Sequence, residues 1–231
     1  MKIHRFIGNF AWGNDQVSTE DDHLLHQLHS VLKCKVGQQF MLSDGKEKEA
    51  LVTLSLLTKK EAAFNINTLQ TRAEGFSHHV HLFVSILKRD NFEWVVQKAV
   101  ECGVTSITPL LCDRTIKTKI SEERLLKIMH EATEQSDRIK LSTLHPTTSF
   151  TEAITQLTES KIPFYIADKE GVSTPALTTK EVALFIGPEG GFTPEEKKYA
   201  EVHGGHTLSF GETTLRAETA AIVGTFLLTN L

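Results

Sequence analysis

From residue 78 onward, short apolar runs alternate with segments of helical periodicity. Strands are predicted at the apolar runs 81–87, 106–111, 163–167, 182–186 and 206–210. Helices are predicted where apolar residues recur every three or four positions, at 91–102, 122–135, 194–203 and 217–228. Because strands that alternate with helices favour parallel pairing, this part of the chain predicts an α/β domain with a mostly parallel sheet.

The first 72 residues have a different pattern, which predicts a small β-rich domain. Its predicted elements are a strand at 4–7, a helix capped by Asp21 or Asp22 that runs to residue 31, and strands at 50–57 and 62–69. Residues 39–42 lead into Asp44-Gly45, a hairpin signal because both central residues can adopt positive φ. The polar stretch 70–75 contains a glycine and divides the chain into predicted domains 1–72 and 73–231.

Composition excludes several classes of protein. Hydrophobic residues make up 40% and charged residues 23% of the 231 residues, as in ordinary globular chains. The start lacks the apolar run of a signal peptide, and no stretch approaches the roughly 18 to 20 apolar residues of a membrane span. The cysteines Cys34, Cys102 and Cys112 form no C-x-x-C pair, and the histidines lack partners at metal-site spacing. We therefore expect a cytoplasmic protein without disulfides and without a metal site.

The net charge of −4 is unevenly distributed. Residues 151–231 hold 6 Lys and Arg against 11 Asp and Glu, whereas the first 150 residues are nearly balanced. Basic residues cluster at Arg114, Lys117 and Lys119, and again at Arg138 and Lys140. Phosphate contacts need only local positive potential, so an acidic total does not exclude RNA. The alternative interpretation, solvated surface cations without a partner, stays open on charge alone.

The strongest local signal is the glycine loop Ile186-Gly187-Pro188-Glu189-Gly190-Gly191. It follows an apolar run and precedes a helix start at Thr193-Pro194, with Glu196 completing a capping box. Glycines let the backbone approach a ligand closely, and ligands commonly bind at this edge of an α/β sheet. The loop matches neither a P-loop nor the G-x-G-x-x-G dinucleotide motif. It predicts a ligand site of another kind, or else a tight turn with no ligand.

Two further segments carry clustered polar residues. Residues 208–220 repeat the order strand, glycine, polar loop and helix start, with Arg216 and Glu218 at the helix start. Residues 131–138 place Gln135, Ser136 and Arg138 at the end of an amphipathic helix, where such side chains can bind RNA. Ordinary capping and a polar helix end are the alternative interpretations.

Together these segments resemble the RsmE family of the SPOUT superfamily, bacterial enzymes that methylate N3 of a uridine in 16S ribosomal RNA. The resemblance covers nearly the whole chain. Its motifs are 23–36 with 43–45, 88–99, 101–104, 107–110, 134–136, 186–192 and 215–220. Mild departures at Lys33, Asp137 and Thr213-Thr214 concern RNA contacts rather than the cofactor loops.

The resemblance implies a PUA-like β-barrel for RNA binding over 1–72 and a SPOUT domain with a trefoil knot over 73–231. It also implies a homodimer, S-adenosyl-L-methionine (SAM) as cofactor, 16S ribosomal RNA of the small subunit as partner, and no metal. The implied cofactor residues are Ile166, Gly187, Glu189, Gly190, Gly191, Leu208, Phe210, Gly211, Leu215 and Thr219. The implied RNA contacts are Arg5, Lys33, Arg89, Arg114 and Gln135. For the chemistry we predict Arg138, Arg216 and Glu218: the arginines stabilise a uridine anion or its phosphate, and Glu218 accepts the proton.

Two alternative functions stay open. A knotted methyltransferase that modifies a ribose 2′-hydroxyl or a guanine nitrogen needs the same cofactor loops. A noncatalytic RNA-binding assembly factor needs only the β-rich domain, and degraded glycine loops are expected there. Gly187, Gly190, Gly191 and Arg216 are all present, which favours an enzyme.

Overall fold

The computed structural model describes residues 3–116, 119–173, 175 and 177–231, apart from the side chain of Arg89. The chain forms two compact units. The first consists of Met1–Glu74 with Thr133–Leu141, and the second of Gly75–Ala132 with Ser142–Leu231. The sequence predicts a single boundary near residue 72, whereas the first unit also includes a segment from the middle of the chain.

The first unit is built on one six-stranded sheet. Its elements are β1 (His4–Ile7), β2 (Ala11–Trp12), β3 (Gln16–Thr19), α1 (Asp22–His26), β4 (Gln39–Ser43), β5 (Lys48–Leu57) and β6 (Ala62–Thr71). Asp21 caps α1, and the helix continues as a π-helical turn over Gln27–Val31. The strand order is β1-β4-β5-β6-β3-β2, in which only β1 and β4 pair in parallel. Phe40, Leu42, Leu54 and Phe64 fill its core and are almost fully buried.

The turn between β4 and β5 differs from the prediction. The predicted hairpin is confirmed, because β4 and β5 pair antiparallel across residues 44–47. Gly45 has φ of 72°, whereas Asp44 is not among the described residues with positive φ. The loop has four residues, 44–47, instead of two. Asp44 Oδ1 accepts the backbone N–H groups of Lys46, Glu47 and Lys48 at 2.9, 3.0 and 3.0 Å. An aspartate that bonds to its own loop in this way needs no left-handed backbone.

The second unit is an α/β structure with a wholly parallel sheet. Its elements are β7 (His79–Ser85), α2 (Arg89–Glu101), β8 (Ser106–Leu111), α3 (Glu122–Gln135), β9 (Thr143–Leu144), β10 (Thr148–Ser149), α4 (Phe150–Ser160), β11 (Phe164–Val172), β12 (Glu181–Ile186), α5 (Pro194–Val202), β13 (His206–Leu208) and α6 (Ala217–Asn230). The last three residues of α3 belong to the segment assigned to the first unit. The strand order is β10-β8-β7-β12-β11-β13, with β9 beside β8. The parallel sheet predicted from the alternation is confirmed.

Apolar side chains cover both faces of this sheet, as parallel sheets require. Val80, Leu82 and Val84 of β7 pack on one face in a cluster that includes residues of α2 and α6. Phe83 points the opposite way and stacks on Phe185 of β12 with ring centroids 4.7 Å apart. The two strands are therefore fixed side by side at the centre of the sheet.

Helix α4 is absent from the sequence prediction. Ser149 and Glu152 form a reciprocal capping box at its start. Its buried residues Phe150, Ala153, Ile154 and Leu157 follow the helical spacing i, i+3, i+4, i+7. Both signals are present in the sequence, so this helix was predictable. Across the described residues, the helices are too short or too polar for one to cross a membrane.

Candidate cofactor-binding site

A pocket of about 780 Å³ lies where β11, β12 and β13 reach their carboxyl ends. Three chain segments form most of its wall: 167–169 of β11, 186–192 from the last residue of β12 onward, and most of 209–220 between β13 and α6. Small-molecule pockets typically measure about 300–1,000 Å³, and the carboxyl edge is where α/β sheets bind ligands. The parallel topology thus brings together three loops that are far apart in sequence.

Glycines shape two of these segments. Gly191 has φ of 67° and closes a turn by donating its N–H to the Pro188 carbonyl at 2.8 Å. Gly211 has φ of 119°, a conformation that side chains rarely adopt. A Cβ atom at either position would meet no protein atom within 4 Å. The glycines therefore keep backbone exposed along the pocket wall.

Arg114, which is distant from the glycine loop in sequence, holds the loop in place. Its Nη1 donates to the Gly190 carbonyl at 2.6 Å, and its side chain lines the pocket. The adjacent Asp113 N–H donates to Glu196 Oε1 at 3.0 Å. Glu196 also accepts the Thr193 N–H at 2.7 Å, which completes the predicted capping box of α5. The loop is thus held by contacts at both ends.

The start of α6 contributes two charged residues of opposite exposure. The Arg216 side chain is 87% exposed, whereas the Glu218 side chain is 9% exposed, and their charged atoms lie 4.0 Å apart. Both line the pocket. A shielded carboxylate beside an exposed guanidinium is an arrangement suited to moving a proton and stabilising an anion.

A second pair of opposite charges lines the pocket. Lys197 of α5 forms a close ion pair with Asp168 of β11. Burial alone would raise the pKa of the Asp168 carboxyl, but the Lys197 ammonium and the Glu170 N–H hold it below its ordinary value. Counting all lining residues, five are Lys or Arg and three are Asp or Glu, although the whole chain is acidic. The pocket is therefore locally basic.

Seven of the ten predicted cofactor residues line this pocket: Gly187, Glu189, Gly190, Gly191, Phe210, Gly211 and Leu215. Ile166 and Leu208 instead pack into the core, and their neighbours Ala167 and Ser209 line the pocket. Alternate residues of a strand face opposite sides, so a shift by one position exchanges core for pocket. Thr219 likewise lies between the lining residues Glu218 and Ala220. Ligand contact by these residues stays a prediction.

Arg138 is placed differently from Arg216. It belongs to the first unit, where its side chain is 5% exposed and pairs with Glu74. Its Nε and Nη2 donate to the two carboxylate oxygens at 2.9 and 2.8 Å. Such a bidentate pair fixes the Arg138 side chain in the fold.

The predicted RNA contacts have different surroundings. Lys33, Arg114 and Gln135 are exposed, and the side chain of Arg89 lies outside the described part of the structure. Arg5 has a side chain that is only 7% exposed, with Nη1 donating to Glu49 at 2.6 Å. This arrangement stabilises the first unit and leaves little of the guanidinium for a phosphate.

Several lining residues were not among the individually predicted site residues, including the polar or charged Lys88, Asn91, Asp168 and Lys197. Lys88 and Asn91 begin a motif that carries the family resemblance, so a signal for them existed. Asp168 directly follows the predicted strand 163–167, at the carboxyl edge where α/β sheets bind ligands. Lys197 is one of several charged residues on α5, and no local pattern distinguishes it.

A separate cluster joins β7 to β12 at the amino ends of the strands. Glu181 accepts from His79 Nδ1 at 2.7 Å and from His81 Nε2 at 2.6 Å. Within the described part of the chain, no three His, Cys, Asp or Glu side chains are arranged to hold a metal ion.

Comparison with known proteins identifies the family. A model of the RNA methyltransferase domain matches residues 74–228, more than half of the chain. Ribosomal RNA small subunit methyltransferase E of Rickettsia conorii is 28% identical over 96% of this chain and 93% of its own. The protein of that name from Synechocystis is 30% identical over 86% of this chain and 68% of its own.

Solved structures agree over almost the full length. Ribosomal RNA small subunit methyltransferase E from Neisseria gonorrhoeae, bound to SAM, is 26% identical with a TM-score of 0.85, covering 97% of this chain and 95% of that one. A putative methyltransferase from Legionella pneumophila, in complex with SAM, has the same identity and TM-score over 99% and 97% of the two chains. The predicted fold class is confirmed, and the chain belongs to the RNA methyltransferase family, among the ribosomal RNA small subunit methyltransferases E.

Proposed function

We propose that this protein transfers the methyl group of SAM to N3 of a uridine in 16S ribosomal RNA of the small subunit. The observation that carries the proposal is the pocket at the carboxyl ends of β11–β13, lined by the glycine loop and by Arg216 and Glu218. Two SAM-bound structures of similar fold and relatives named for the small-subunit RNA support the same function.

The residues of the pocket suit this cofactor. Gly190, Gly191 and Gly211 have no side chains to block the pocket wall, so the backbone of these loops can approach the edge of an adenine ring. Phe210 and Leu215 add apolar surface for the ring itself. SAM supplies a methyl group already activated by its sulfonium charge, so the protein's task is positioning.

The charged residues at the start of α6 would handle the proton and the charge of the base. Uridine N3 carries a hydrogen, which must leave as the N3–methyl bond forms. The Glu218 carboxylate accepts that proton in our proposal, and the Arg216 guanidinium stabilises negative charge on the uracil oxygens. Entry of the base into the pocket requires that it leave its stack.

The decisive experiment is methyl transfer in vitro followed by nucleoside analysis. Purified protein, small ribosomal subunits that lack this modification and radiolabelled SAM should give labelled RNA. Digestion and mass spectrometry should then identify 3-methyluridine. A 2′-O-methylated nucleoside or a methylguanosine would replace our assignment by another RNA methyltransferase activity, and absence of transfer would favour a noncatalytic assembly factor.

We also propose that the first unit binds RNA, that the protein is a homodimer and that it acts in the cytoplasm. Phe226, Leu227 and Leu231 near the end of α6 are 56%, 42% and 51% exposed, and a subunit interface would cover such apolar groups. Light scattering of the purified protein tests the dimer. A mass equal to the 25.8 kDa monomer at all concentrations would contradict it.

A further inference from the structure

We propose that Asp168 and Lys197 form the subsite for the amino-acid end of the cofactor, with Asp168 binding its α-ammonium and Lys197 its α-carboxylate. This inference rests on the proposed function and assigns the part of SAM that lies away from the methyl group. The aminocarboxypropyl end of SAM is a zwitterion, and a pair of protein groups of opposite charge would complement it.

The pair lies in the pocket and is fixed there. Both residues line the wall, one from β11 and one from α5. The Asp168 side chain is 15% exposed and that of Lys197 is 41% exposed. Asp168 Oδ1 also accepts the Glu170 N–H at 3.1 Å, which orients the carboxylate. The subsite is therefore held by backbone as well as by the ion pair.

Each member of the pair can bind a ligand without releasing its partner. A carboxylate has about four acceptor positions, and Asp168 uses three of them, for Lys197 and for the backbone of Lys169 and Glu170. An ammonium has three donors, of which the carboxylate needs one or two. A zwitterion lying antiparallel to the pair would place each of its charges beside the opposite one. Shielding from water strengthens both contacts.

Other charged residues of the pocket are less suited to this task. The charged atoms of Arg216 and Glu218 lie 4.0 Å apart, and the Arg216 side chain is 87% exposed against 41% for Lys197, so water screens the Arg216 charge more strongly. Arg114 donates to the Gly190 carbonyl and holds the glycine loop. Asp168 and Lys197 are thus the pair of opposite charges in the pocket that is both close and partly shielded.

The test uses two ligands that differ at this end alone. S-adenosylhomocysteine carries the zwitterion, whereas 5′-methylthioadenosine ends in a methyl group, and neither has a sulfonium charge. Calorimetry would measure both dissociation constants for the wild type, Asp168→Asn, Lys197→Met and the control Lys198→Met. Lys198 lies next in sequence, is 70% exposed and pairs with Glu201 outside the pocket.

We expect the wild type and Lys198→Met to prefer S-adenosylhomocysteine by roughly 10- to 100-fold, as two charge-assisted contacts would give. Asp168→Asn and Lys197→Met should each lose about tenfold of that preference while binding 5′-methylthioadenosine as the wild type does. Unchanged affinity for 5′-methylthioadenosine also shows that the variants are folded.

Two outcomes would overturn the inference. One is an unchanged preference in both variants, which would assign the zwitterion to other residues such as Arg216 and Glu218. The other is an equal loss of affinity for both ligands, which would make the pair a structural support of the pocket. If the wild type binds neither ligand, the proposed function itself fails, and that result is distinct from both.

Discussion

Arg138 and Arg216 were predicted to serve the same reaction, yet they lie in opposite surroundings. Arg138 ends in a bidentate pair with Glu74 and is 5% exposed, whereas Arg216 is 87% exposed at the edge of the pocket. Removal of a buried arginine whose donors are committed to a carboxylate mainly destabilises the fold, because it leaves a buried charge unpaired. An exposed arginine at a pocket costs the fold little and can meet a substrate. The surroundings of the two arginines therefore indicate different roles, which the sequence alone could not distinguish.

The largest effect should follow Arg138→Ala. Loss of the guanidinium leaves the Glu74 carboxylate without the partner that shields it, which costs about 3–5 kcal/mol of unfolding free energy. Urea denaturation would measure the loss. Arg138→Lys should recover part of it, because lysine restores the charge but not the two parallel hydrogen bonds.

The same Arg138 variants can contradict the contrast between a structural Arg138 and a reactive Arg216. If Arg138→Ala is as stable as the wild type but methylates ribosomal RNA more slowly, Arg138 acts in the reaction as the sequence predicted. SAM affinity should be unchanged in the folded variant in either case.

Arg216→Ala should produce the converse result. Stability should change by less than about 0.5 kcal/mol, as for other exposed positions. The turnover number should fall by roughly 10²- to 10³-fold if the guanidinium stabilises charge in the transition state. Single-turnover methylation with saturating SAM would measure this, with Glu212→Gln as control, since Glu212 is exposed in the same loop but does not line the pocket. Wild-type turnover in Arg216→Ala would remove this residue from the reaction.

Gly190→Val should lower SAM affinity by about tenfold or more, through overpacking at the pocket wall. A Cβ atom at Gly190 would lie 3.2 Å from Arg114 Cδ, so the valine would displace the side chain that holds the loop. Gly75→Val is the matched control, because a Cβ atom there meets nothing within 4 Å. Calorimetry should show normal SAM affinity for the control, and equal affinities in the two variants would contradict the assignment of the pocket.

The sequence predicted the parallel sheet and the glycine loop because local periodicity and turn chemistry encode both. Seven of the ten predicted cofactor residues line the pocket for the same reason, since the loops follow recognisable strands. Side-chain direction within a strand needs the register, so Ile166 was chosen where Ala167 faces the pocket. The pairing of Arg138 with Glu74, and of Lys197 with Asp168, depends on contacts between residues 64 and 29 positions apart. No local pattern encodes such contacts.

A smaller effect concerns a second buried charge of the first unit, Glu49, which is 1% exposed. Burial alone would raise the pKa of its carboxyl, but Arg5, Gln70 and Arg72 together lower it below the ordinary value of 4.5. A carboxyl whose pKa is lower in the folded state adds stability above the unfolded pKa, and this stability is lost as pH falls through the folded pKa.

Glu49→Gln should therefore be less stable than the wild type at pH 7, and the difference in unfolding free energy should shrink below about pH 4.5. Urea denaturation across this range measures the difference, with exposed Glu47→Gln as control. A difference that stays constant with pH would mean that Glu49 contributes by packing rather than by its charge, in contrast to the effect expected for Arg138 and Glu74.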